Sequence, residues 1–99
     1  MPRGRAVSSA RRAAFEVLRR VEERQGEPAS LLASPRYQEL SPVDRDLAME
    51  IVFGVLRFRE SLDWILKGHA SRPLSELDPT VLLALRIGLY QIRRLDRVP

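Results

Sequence analysis

Cysteine is absent from the chain, which excludes disulfides, thiolate metal ligation and a cysteine nucleophile. Histidine occurs once, at His69, too few for a histidine-based zinc site. No uncharged run approaches the roughly 18 residues of a membrane span, and the N-terminus lacks an apolar signal core. Also missing are a glycine-rich phosphate loop, a nucleophile elbow and a zinc-protease helix motif. Carboxylates are plentiful but alternate with arginine on helix surfaces, where solvated pairs are the default. These absences predict a cytoplasmic, non-membrane chain that is not an enzyme by itself, with no catalytic group, metal or cofactor of its own.

What remains is a chain of 99 residues, 44% hydrophobic, enough for one small core. Its formal charge of +4 is uneven. Residues 1 to 12 hold Arg3, Arg5, Arg11 and Arg12 without an acid, for +4; residues 86 to 97 carry +3, and the rest −3. Sixteen of the seventeen cations are arginine, whose planar fork binds phosphate bidentately and stacks on bases. That composition permits an RNA partner.

Every segment with a clear period reads as helix. Residues 1 to 7 have none and are expected to be a mobile basic arm. Ser8 or Ser9 can cap a first helix whose stripe is Ala10, Ala14, Val17, Leu18 and Val21. On its other face Arg12 with Glu16, Glu16 with Arg20 and Arg19 with Glu23 are four apart, as in a self-paired, solvated surface. Arg3, Arg5 and Arg11 lack such a partner and are the better phosphate candidates. A short helix over Ala29 to Ala33 follows, ended by Ser34-Pro35. Ser41, Pro42 and Asp44 then open a long helix as N-cap, N1 and N3. It carries Leu47, Ala48, Ile51, Gly54, Val55 and Phe58 on one face, and Met49, Phe53 and Leu56 on another. Glu60 to Ala70 gives a fourth helix, with Leu62, Ile65 and Leu66 inward and Trp64 on the flank.

The fifth, Asp78 to Arg94, has Arg86 as its only charge between Thr80 and Ile92. Asp78 and Pro79 mark its start. Val81, Leu82, Ala84, Leu85, Leu89 and Ile92 make one side and Leu83, Ile87 and Tyr90 the other, so the remaining helices are expected to wrap it. A mid-helix glycine costs roughly 1 kcal/mol against alanine. Gly54 and Gly88 therefore predict a close crossing of the two most apolar helices. Asp44 and Arg86 are candidates for a partly buried ion pair there, the alternative being that Asp44 only caps and Arg86 reaches solvent.

The strings Gly54-Val55-Leu56-Arg57, Leu62-Asp63-Trp64, Leu85-Arg86-x-Gly88-x-Tyr90-Gln91 and Leu95-Asp96-Arg97-Val98-Pro99, with Asp44-Arg45 opening the long helix, together resemble one family. It is the NusB-like N-terminal domain of the bacterial ribosomal RNA cytosine-C5 methyltransferases known as RsmB, Sun or Fmu. The likeness runs through nearly all of the chain from Arg11 onward. It implies an all-α, antitermination-factor type bundle of about five helices around the central apolar helix 78–94, forming one RNA-binding domain over 1–99. It places RNA contacts at Arg3, Arg5, Arg11 and Arg12. By the same resemblance, small-subunit ribosomal RNA is the partner, and S-adenosylmethionine belongs to a catalytic domain missing here. The last NusB-like helices are expected after Pro99, so the chain reads as a piece of a longer protein. Two other readings stay open: a free-standing NusB transcription antitermination factor, and a helical interaction module that forms a homodimer through apolar faces left uncovered.

Overall fold

The computed structural model describes residues 8–96 of the chain. The basic arm expected over residues 1 to 7, with Arg3 and Arg5, lies outside them, as do Arg97, Val98 and Pro99. The order is α1 (Ser9–Glu22), α2 (Pro28–Leu32), α3 (Pro35–Gln38), α4 (Pro42–Arg57), α5 (Arg59–His69), a 3-10 turn (Leu74–Glu76) and α6 (Pro79–Asp96). No strand occurs among the described residues, so the fold is all-α.

Local chemistry explains the boundaries. Ser8 Oγ accepts the Arg11 N–H at 3.2 Å, Ser41 Oγ accepts that of Asp44 at 3.2 Å, and Asp78 Oδ1 accepts that of Thr80 at 2.7 Å. Each such cap is worth about 1 kcal/mol against alanine. Prolines stand at the first position of α2, α3, α4 and α6, where the missing N–H would have had no helical partner. At the end of α1 the Gln25 N–H reaches the Arg20 carbonyl at 2.8 Å and the Arg24 N–H that of Val21 at 3.0 Å. That double bond pattern needs a left-handed residue, and Arg24 supplies it at φ +60° in the place where glycine is usual. The helix α3 was not anticipated, since four residues are too few to show a period.

Two compact units divide the chain, one through Val52 and one from Phe53 onward. In the first, α1 buries Ala10, Ala13, Ala14, Val17 and Leu18, while α2 and α3 contribute Leu31, Leu32 and Tyr37. Ala48, Ile51 and Val52 of α4 are buried as well. In the second, α5 packs on α6 through Leu62, Leu83 and Ile87, each burial worth about 2 kcal/mol.

Three expectations about α6 need correction. It is not wrapped by the described residues: Val81, Leu85 and Ile92 are 48%, 43% and 60% exposed, and the buried side is Leu83, Arg86 and Ile87. The close approach is not between Gly54 and Gly88. A Cβ on Gly54 would run into the Tyr90 ring, whereas one on Gly88 would meet nothing within 4 Å. Gly54 makes room for an aromatic side chain, not for a neighbouring backbone.

The third correction concerns Arg86, which is buried at 5% exposure yet does not take Asp44 as its partner. Its Nε donates to Asp63 Oδ1 at 2.7 Å and its Nη2 to Asp63 Oδ2 at 2.9 Å, a bidentate pair. Asp63 sits on α5, the helix packed directly against α6, so the fork meets it first. The Asp44 backbone instead closes the cap at the start of α4.

Candidate nucleic-acid interface

The first turn of α1 carries Arg11 and Arg12, both exposed, beyond the Ser8 cap. No acid occupies that turn, so its unpaired N–H groups and the two guanidinium groups present one sign of charge. Arg12 also lines a shallow hollow of about 240 Å³ with Ser9, Glu16, Arg36 and Tyr37. Of the four predicted RNA contacts, the structure thus places Arg11 and Arg12 together, and Arg3 and Arg5 are outside the described residues.

Glu16 departs from the expected surface ladder. Its carboxylate accepts the Tyr37 hydroxyl at 2.9 Å and pairs with Arg36 at 2.9 Å, tying α1 to α3. Burial pushes the Tyr37 hydroxyl above its usual pKa, and the negative Glu16 beside it acts the same way. Arg19 and Glu23 do form their expected pair at 3.0 Å on the exposed side. Arg36 is therefore a third cation at this hollow, one that sequence reading missed. The signal was weak, because Arg36 and Tyr37 stand in a four-residue helix between two prolines.

A second basic surface, also unanticipated, lies between α5 and α6. Phe58, Ser61, Tyr90, Arg93 and Arg94 line a hollow of about 270 Å³. Phe58 stacks with Tyr90 at 6.5 Å between centroids and 21° between planes, and the Arg57 guanidinium sits 5.3 Å from the Phe58 centroid. Among the described residues no group of three or more His, Asp or Glu could hold a metal ion. No helix among them is long and apolar enough to cross a membrane.

The class defined so far is an all-helical domain with clustered arginines on its surface. The chain belongs to the NusB family, whose profile matches residues 8–99. It is 35% identical over 92 residues to the probable ribosomal RNA small subunit methyltransferase B of Synechocystis, covering 92% of this chain and 21% of that protein. The corresponding protein of Bacillus subtilis is 36% identical over 93 residues, with 93% and 21% covered. The ribosomal RNA small subunit methyltransferase B of Escherichia coli O157:H7 is 37% identical over 68 residues, with 69% and 16% covered. The chain spans about a fifth of the length of these curated relatives. No solved structure matches it.

Proposed function

We propose that this chain is the RNA-binding accessory domain of an S-adenosylmethionine-dependent ribosomal RNA cytosine-C5 methyltransferase, and that it positions small-subunit ribosomal RNA for catalysis performed elsewhere in the parent protein. The observation that carries the reading is the NusB family match over a chain whose relatives are named for small-subunit ribosomal RNA methylation. Those names support it over a free-standing antitermination factor. The first turn of α1 supplies the phosphate contacts, with Arg11 and Arg12 exposed there and Arg36 at the same hollow. Arg3 and Arg5 extend that basic end. On this reading the chain acts in the cytoplasm, performs no chemistry, and leaves the cofactor to the catalytic domain.

Binding to a small-subunit ribosomal RNA hairpin across a salt series tests it. Changing Arg3, Arg5, Arg11 and Arg12 to glutamine is expected to weaken binding and to flatten the salt dependence by about three units, at roughly 0.7 to 0.9 per lost phosphate contact. Equal affinity and slope for the two proteins would overturn the assignment.

A second reading, a helical interaction module that pairs with its own copy, is favoured by the exposed Val81, Leu85 and Ile92 on one side of α6.

A further inference from the structure

Trp64, the only tryptophan, is 76% exposed on α5, although a side chain of that size normally buries most of its area. It flanks a second hollow, of about 540 Å³, lined by Glu60, Ser61, Trp64, Ile65 and Arg93. Ser61 and Arg93 also line the hollow that holds Phe58, Tyr90 and Arg94, so the two are continuous. One strip between α5 and α6 thus carries three of the chain's six aromatic residues, interleaved with two arginines.

We infer that this strip binds single-stranded RNA, with a base stacked on the exposed Trp64 and phosphates met by Arg93 and Arg94. The inference rests on the RNA-binding reading above and adds a surface separate from α1. Aromatic faces alternating with guanidinium groups are what an unpaired strand requires, because its bases expose their faces and its backbone carries a charge per nucleotide. A duplex hides those faces. Charge agrees in sign: Arg93 and Arg94 line the two hollows, whose lining includes one acid, Glu60, while Asp63 on the same helix is committed to Arg86. The strip differs in chemistry from the open side of α6, where Val81, Leu85 and Ile92 are purely apolar.

Trp64 is its own reporter. Oligouridylate is titrated into the full chain while tryptophan emission is followed, beside a blunt RNA duplex of equal length. Quenching by the single strand and not by the duplex is expected. An Arg93→Gln/Arg94→Gln variant should lose about 1.4 units of salt slope for the single strand, two contacts at roughly 0.7 each. Trp64→Leu, read by anisotropy of labelled RNA, should bind the single strand about tenfold more weakly or worse, the usual consequence of losing one stacked base. Both variants change exposed residues, and circular dichroism checks that their helices persist. Arg11→Gln/Arg12→Gln should leave the quenching intact while weakening the ribosomal hairpin. If the hairpin binds but oligouridylate neither quenches Trp64 nor responds to Arg93 and Arg94, the strip is not an RNA site and the α1 reading stands. If neither RNA binds, both assignments fail.

Discussion

Arg86 and Asp63 show how one side chain can be legible as special and still be given the wrong partner. A lone arginine in an apolar helix must find an anion, and the carboxylate it finds is bidentate and only partly screened by solvent. Removing the two partners should therefore have unequal effects. Asp63→Ala leaves a buried cation unpaired and is expected to cost about 3 kcal/mol, whereas Arg86→Met leaves a carboxylate that water can still reach and should cost about 1 kcal/mol. Urea unfolding of the two variants measures both, and equal small losses would mean that the pair is not a core interaction. Tyr37 gives a pH prediction. Its hydroxyl titrates above 10 in the folded chain because burial and Glu16 disfavour the phenolate. The unfolded chain gives up this proton first, so the stability due to Tyr37 is complete below about pH 10 and falls as pH rises beyond it. Tyr37→Phe should remove that alkaline decline, read as thermal midpoint against pH from 8 to 11; an unchanged decline would assign it to other groups.

At the scale of elements, Gly54 matters for what it lacks. The Tyr90 ring from α6 occupies the place a Cβ would fill on α4. Gly54→Ala must displace that ring and is expected to cost about 1 to 3 kcal/mol. In a Tyr90→Ala background the same change should cost much less, because the obstacle is gone. A double-mutant cycle by denaturant unfolding decides the matter, and additive costs would show that the ring is not what excludes the methyl group. The glycine of α6 behaves differently. Gly88 has open space over it, on a side that also exposes Val81, Leu85 and Ile92. If those residues pair with a second copy, sedimentation at tens of micromolar should show a dimer that Leu85→Glu abolishes. A monomer for the unchanged chain would dispose of that reading.

Across the whole molecule, the two arginine-bearing surfaces are ones that single helices do not define. The basic end of α1 was visible as a run of arginines without acids, and its first turn is where Arg11 and Arg12 stand exposed. Arg36 joins them only because Glu16 turns to α3 and draws that helix alongside. Arg93 on α6 and Trp64 on α5 likewise belong to different elements and become one strip only when α5 lies against α6.

The sequence by itself determined the helical class, the caps at Ser41 and Asp78 and one at Ser8 or Ser9, the apolar stripe of α1 and the membership of the NusB family, because these depend on residues within four or so positions of each other or on strings read in order. Tertiary structure alone decided which side of α6 is covered, that Asp63 and not Asp44 meets Arg86, and that a tyrosine ring fills the space beside Gly54. A helix apolar on both sides has no preferred inner face of its own. The neighbour that packs against it makes that choice, and periodicity within one helix carries no information about which neighbour arrives.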